Sequence, residues 1–146
     1  MDAIVNGKGP FQLVIPADGA SGTPLSVPFD LTPVAAAVGA TTTQTGADQV
    51  NAGGRGVRVI LDMTAPGTGS VTLSIQGKDP ASGKYYNLLT GAAVTTVSTN
   101  VYDLYPGIAA VANQAVGLTL PRIWRIVVTA NNANSTSYTV GGTVLK

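Results

Sequence analysis

From Gly56 onwards, apolar and polar residues alternate along the chain in short runs that are separated by glycine and proline. Alternation with a period of two is typical of a β-strand that buries one face. Two such runs flank a turn, and their apolar positions are Val57, Val59, Leu61 and Met63, then Val71, Leu73 and Ile75. The next turn, Gly77–Gly83, combines Asp, Pro and Gly, so residues 70–89 are predicted to form a β-hairpin.

Similar runs predict four further strands, at Ala93–Val97, Asn100–Tyr105, Arg122–Ala130 and Ser137–Leu145. A chain of many short strands, with Gly and Pro in its turns, is typical of an all-β domain. We therefore predict an antiparallel β-sandwich, either a jelly roll or an Ig-like fold, although the Cys and Trp arrangement of Ig domains is absent. A closed barrel is the alternative.

One segment departs from the strand pattern. Its apolar residues follow the spacing of one helical face: Ile108, Val111, Ala112, Ala115 and Val116. A helix of two to three turns and an irregular crossover both fit this segment.

Residues 1–55 form a distinct N-terminal part, which we assign to the same unit as the sandwich core, residues 56–146. Phe11–Ile15 alternates like a strand and stops at Pro16. Further prolines exclude a helix interior and confine strands to edges: Pro24, Pro28 and Pro33. The segment is predicted to hold one or two edge strands with long loops, or to form an arm that becomes ordered against a neighbouring subunit.

Composition argues against catalysis. The chain has no His, no Cys and no Glu, which removes most of the side chains that act as acids, bases or nucleophiles. The remaining carboxylates are seven scattered aspartates without a D-x-D motif. We expect no enzyme activity, no catalytic residues, no cofactor and no bound metal. A hydrolase would require two of these aspartates to converge in a cleft.

The charge pattern limits the kinds of partner that the protein is expected to bind. A net charge of +1, without a run of basic residues, argues against nucleic-acid binding. We expect no signal peptide, because the first residues lack a basic start followed by an apolar run, and no membrane span. A hydrophobic fraction of 45% with few charges suggests that subunit contacts cover part of the surface, as in a homo-oligomeric dimer or trimer.

Two short motifs resemble known sites. The glycine-rich Gly53–Gly56 looks like a phosphate loop, but a strand follows it where a helix is required, so we interpret it as a turn. Asn134-Ser135-Thr136 matches a glycosylation acceptor and is most simply a turn.

The strand around the only tryptophan is apolar on both faces. Trp124, Ile126 and Val128 share one face and are predicted to anchor the core. Arg122 or Arg125 is expected to stack on an aromatic ring or to pair with an aspartate. The alternative is an exposed Trp and Arg contact site.

The five tyrosines raise the alternative of a carbohydrate-binding module, because aromatic rings stack on sugars: Tyr85, Tyr86, Tyr102, Tyr105 and Tyr138. Tyr85 and Tyr86 are adjacent in the sequence and point to opposite faces of a strand, so at most one of them joins such a platform.

Four segments follow one another along the chain: Gly77–Leu89, Tyr105–Gly107, Leu120–Arg125 and Tyr138–Gly141. In these segments and their order, residues 56–145 resemble a group of small proteins encoded among the virion genes of tailed bacteriophages. The resemblance implies a virion structural protein, made in the cytoplasm of a bacterial host. The role that the resemblance implies is a decoration or cement protein on the outside of the head.

In that role the partner is the lattice of the major capsid protein, and the N-terminal segment acts as a clamp. Phe11, Leu13 and Ile15 are the residues we expect to contact the shell or a neighbouring copy. A tail or head-fibre protein that contacts the host surface is the closest alternative.

Overall fold

The computed structural model describes residues 43–133 and 135–146, together with the backbone of 26–30. These residues form ten β-strands, and no helix is found among them. The strands are β1 Ser26–Asp30, β2 Thr43–Thr45, β3 Gln49–Val50, β4 Gly56–Ala65, β5 Val71–Lys78, β6 Tyr85–Thr90, β7 Ser98–Leu104, β8 Ala115–Val116, β9 Ile123–Ala130 and β10 Ser137–Leu145.

The strands form two packed sheets, which confirms the predicted β-sandwich. Sheet I has the order β1-β10-β4-β7-β8, and sheet II has the order β2-β9-β5-β6, with β3 also pairing with β9. The antiparallel pairs are nested along the chain. The outermost pair is β1 with β10, β9 then pairs with β2 and β3, β4 pairs with β7, and the innermost pair is β5 with β6. A long antiparallel ribbon rolled up in this way is a jelly roll, which decides between the two predicted sandwich types.

The core lies between the sheets and is built from the predicted apolar faces. Sheet I contributes alternate residues of β4, β7 and β10, and sheet II those of β5, β6 and β9. The largest buried side chains are Trp124, Tyr138, Leu61, Met63, Leu73, Ile75, Leu104 and Ile126. Because side chains alternate across each strand, a one-residue slip would expose a whole apolar face, so burial fixes the register of these strands.

The predicted hairpin of residues 70–89 is β5 and β6. Its turn closes with backbone hydrogen bonds from Asp79 N–H to the Lys84 carbonyl and from Gly83 N–H to the Asp79 carbonyl, both 2.8 Å. Gly83 has a φ of +73°, which glycine adopts without strain. Hydrogen bonds from Ser82 Oγ and from the Ala81 N–H lower the pKa of the Asp79 carboxyl.

Two predicted elements are corrected. Ala93–Val97 is no strand, because only Val94 forms an isolated bridge, to Val71, and the chain then crosses between the sheets. The helical option for residues 108–116 is wrong, and the segment is an irregular crossover. It turns at Val111, whose carbonyl accepts from the N–H groups of Gln114 and Ala115, and it ends in β8, which runs parallel to β7.

The N-terminal part supplies edge strands to both sheets. Strand β1 pairs with β10 in sheet I, and β2 and β3 lie along β9 in sheet II. The predicted strand Phe11–Ile15 lies outside the described residues. No helix in the described part of the chain is long and apolar enough to cross a membrane.

Candidate functional site

Strand β9 presents two different faces. Trp124 is completely buried, and Ile126 and Val128 are each 1% exposed, so all three lie in the core. The alternative of an exposed Trp and Arg contact site is therefore wrong for the tryptophan. Arg125 points to the outer face of sheet II, where its guanidinium carbon lies 3.3 Å from the centroid of the Tyr85 ring.

Arg125 belongs to a chain of polar contacts across the outer face of sheet II. Its Nε donates to Gln76 Oε1 at 2.9 Å, and Gln76 Nε2 donates to Asn87 Oδ1 at 2.9 Å. The guanidinium stacks on Tyr85, as the sequence predicted for one of two arginines. These contacts join β9, β5 and β6 in register.

Asp48 extends the same network to the edge of the sheet. Its carboxylate accepts from Tyr85 Oη at 2.7 Å and from Lys78 Nζ at 3.0 Å. The hydrogen bonds from Tyr85 and Lys78 lower the pKa of Asp48, and the bond to Asp48 raises the pKa of Lys78. Asp48 lies between β2 and β3, which form one edge of sheet II. Its bonds to Lys78 and Tyr85 therefore connect this edge to the β5–β6 hairpin.

Each of the four described aspartates accepts hydrogen bonds from neighbouring side chains. Asp48 and Asp79 have lowered pKa values, whereas a general acid needs a raised one. Asp103 binds Arg58 through two hydrogen bonds of 2.7 and 2.8 Å, which raise the pKa of the arginine. Asp62 accepts a hydrogen bond from Thr99 Oγ1. Asp103 pairs with Arg58, which is four residues before Asp62 on β4, so the two aspartates are about 13 Å apart along the sheet.

The side chain of Asn51, which sequence reasoning missed, binds the backbone of the glycine-rich segment Gly53–Gly56. Asn51 is 8% exposed, and its Oδ1 accepts from the backbone N–H groups of Gly53 and Gly54 at 3.2 and 2.7 Å. Its Nδ2 donates to the carbonyls of Gly54 and Leu120. The amides that would hold a phosphate in a glycine-rich loop are bonded to the chain itself, which supports a turn at this position.

The tyrosines do not form a shared platform among the described residues. Tyr102 and Tyr138 are buried in the core, and burial raises the pKa of both hydroxyls. Arg125 covers one face of Tyr85, and Tyr105 donates to the carbonyl of Lys146 at 3.2 Å. Tyr86 is 46% exposed, and its ring lies over Gly77 beside Pro121.

Charge is segregated along the sandwich. The described part of the chain contains seven Lys and Arg residues, and all of them lie near the end where β4 begins and β5 and β10 finish: Arg55, Arg58, Lys78, Lys84, Arg122, Arg125 and Lys146. Three of the four described aspartates, Asp48, Asp79 and Asp103, lie at the same end, so its described side chains carry more positive than negative charge. We call this the cationic end.

The loops at the opposite end are uncharged in their described residues. Its loops join β4 to β5, β6 to β7 and β9 to β10, and their described residues, 66–70, 91–97, 131–133 and 135–136, contain no Lys, Arg or Asp. We call this the neutral end. Sequence reasoning missed this division, because the charges are scattered along the chain and meet only through the strand order.

A groove of about 600 Å³ opens at the cationic end. Its apolar walls include Pro106, Ile108 and Leu145, and its charged lining consists of Lys146 and the paired Arg58 and Asp103. The guanidinium carbon of Arg55 lies 5.4 Å from the centroid of the Tyr105 ring beside it. An apolar groove at an end with a net positive charge is suited to a partner surface that combines acidic and apolar side chains.

Comparison with protein-family models, curated proteins and solved structures finds no match. Among the described residues, no three potential ligand side chains are grouped as a metal site. Phe11, Leu13 and Ile15, the predicted contact residues, lie outside the described residues, as does Asn134 of the glycosylation motif.

Proposed function

We propose that this protein is a non-enzymatic structural protein of a tailed-bacteriophage particle, a decoration protein that binds the outside of the head across joints between capsid subunits. The observation that carries the proposal is the charge segregation of a small jelly roll, because a positively charged end supports binding to an acidic partner surface. The resemblance of four segments to phage virion proteins supports the same role.

The physical basis of such a role is linkage. A protein that binds the assembled shell and not its separated subunits stabilises the shell, by about 2.7 kcal/mol per site when its free concentration is a hundred times Kd. The cationic end supplies the electrostatic attraction, and the groove beside Ile108 and Leu145 supplies apolar area. Hydrogen bonds within the Asp48 and Arg125 network hold the surrounding surface in a fixed shape.

Purified particles of the phage that encodes this chain test the location. We expect quantitative mass spectrometry to find the protein in hundreds of copies per particle, because decoration follows the capsid lattice. A tail or head-fibre protein would be present in far fewer copies. Absence of the chain from purified particles would overturn the proposal.

The cationic end is tested by two double variants that lower the net charge equally. Arg122→Gln with Lys146→Gln removes two exposed charges from the cationic end, and Thr68→Asp with Ala133→Asp adds two negative charges at the neutral end. We expect only the first variant to weaken binding to heads that lack the protein, by roughly tenfold at low salt and less at high salt. Equal effects of both variants would show that net charge alone matters.

A further inference from the structure

Among the described residues, the outer edge of β7 is paired over only part of its length. Strand β8 pairs only with Asp103 and Leu104, where Asp103 N–H donates to the Gln114 carbonyl at 2.8 Å. In an antiparallel pair, successive residues direct their backbone groups to opposite sides. The N–H groups of Thr99 and Val101 therefore face the same side as that of Asp103, beyond the reach of β8.

The other sheet edges carry features that prevent further pairing, and this one does not. Strand β1 contains Pro28, the edge formed by β2 and β3 is interrupted at Asp48, and β6 pairs with β5 across a register shift. Proline, charge and bulges are the usual means of protecting an edge strand. The open part of β7, Ser98–Tyr102, has none of them, so we look for a strand that covers it.

The open edge lies in a groove of about 540 Å³. One wall is the crossover 92–96, and the other is 112–114, which is fixed by a 3.0 Å hydrogen bond from Asn113 Nδ2 to the Thr90 carbonyl. The lining contains no Lys, Arg or Asp, and Val101 is 42% exposed within it. Such a groove is suited to an uncharged extended segment that pairs through its main chain.

We propose that this edge binds the segment Phe11–Ile15 of a second copy of the chain as an added strand. The segment has five residues, like the open edge, carries no charge, alternates like a strand and stops at Pro16. Its own chain enters sheet I at Ser26, in β1, on the far side of β10 and β4 from β7. An arm that docks on its own β7 has to pass these strands, whereas an arm from a neighbouring copy does not.

Binding of this N-terminal arm of one copy to the β7 edge of another makes the protein a homo-oligomer. This inference does not depend on capsid binding, because it concerns copies of one chain. It also assigns Phe11, Leu13 and Ile15 to the contact between copies.

Two full-length variants test each side of the contact. Val101→Pro removes the outward N–H without touching the bonds to β4, and Leu13→Asp puts a charge into the arm. We expect light scattering to show an oligomer for the natural chain and a 14.7 kDa monomer for each variant at the same concentration. Val101→Thr, which keeps the N–H, should remain oligomeric. Thr99→Pro is the second edge variant, in case Val101→Pro fails to fold.

Mixing the two defective variants gives the decisive result. The Leu13→Asp copy keeps its edge and the Val101→Pro copy keeps its arm, so one intact contact forms between them, and we expect a mixed dimer at twice the 14.7 kDa monomer mass. A monomeric natural chain, or a mixture that stays monomeric, would overturn the proposal. In that case, slow hydrogen exchange at the Val101 amide of the monomer would assign the edge to the chain's own arm.

Discussion

Replacing Trp124 with alanine is expected to lower the free energy of unfolding by about 3 to 5 kcal/mol, the range seen when a large buried aromatic side chain is truncated. Trp124 is fully buried, and it lies on β9 with β3 on one side and β5 on the other. Its removal leaves a cavity between the sheets that the paired strands cannot close. Since domains of this size are stable by about 5 to 15 kcal/mol, the variant should be close to unfolding.

Urea denaturation followed by far-UV circular dichroism measures this effect without relying on tryptophan fluorescence. Val97→Ala is the control, because Val97 is 68% exposed and its truncation should change the stability by less than about 0.5 kcal/mol. Trp124→Phe should fall between the two, because it fills part of the cavity. If Trp124→Ala lost no more stability than Val97→Ala, the side chain would not be in the core.

The sequence predicts the strands that bury one face and fails where burial is not periodic. Leu61 on β4 and Leu73 on β5 lie in long alternating runs, so their burial follows from pattern alone. The apolar residues of 93–97 and 108–116 also look periodic, but most of them are exposed in crossovers whose shape is set by long-range bonds. One such bond runs from Asn113 to Thr90.

The candidate sites show the same limit more strongly. Asp48 and Tyr85 are 37 residues apart, and Asn51 and Leu120 are 69 residues apart, so no local sequence pattern predicts their contacts. The division into a cationic and a neutral end depends on the strand order as a whole. By contrast, the sequence predicted that an arginine on the tryptophan strand would stack on an aromatic ring. Alternation along β9 places Arg125 on the outer face, because its neighbour Trp124 is on the inner face.

The two ends and the open edge suggest how one small domain could serve two contacts. The open part of β7 begins at Ser98, beside the neutral end, whereas Arg122 and Lys146 lie at the cationic end. Contacts between copies and contacts with an acidic partner would then use different parts of the surface. The double variant at the cationic end should therefore leave the oligomer intact, whereas Val101→Pro should dissociate it.

The second large effect concerns Tyr138, whose hydroxyl is buried and has no hydrogen-bond partner among the described residues. A buried hydroxyl without a partner keeps its full desolvation penalty, so Tyr138→Phe should stabilise the protein by about 1 kcal/mol at pH 7. Tyr86→Phe, which removes a hydroxyl from a side chain that is 46% exposed, is the control at that pH. Lower stability of Tyr138→Phe would show that the hydroxyl is bonded.

The advantage of Tyr138→Phe should widen in alkali. Burial raises the pKa of Tyr138 to about 12 in the folded protein, whereas an unfolded tyrosine has a pKa of about 10. The folded state therefore holds the phenol proton more tightly, and this contribution is complete below pH 10 and is lost as the pH rises towards 12. Tyr138 should cost the natural chain about 2 to 3 kcal/mol across that window, and the phenylalanine variant, which keeps only the buried Tyr102, should lose less stability by that amount. Urea midpoints at pH 9 and pH 11.5 measure the difference, and parallel curves for the two proteins would contradict it.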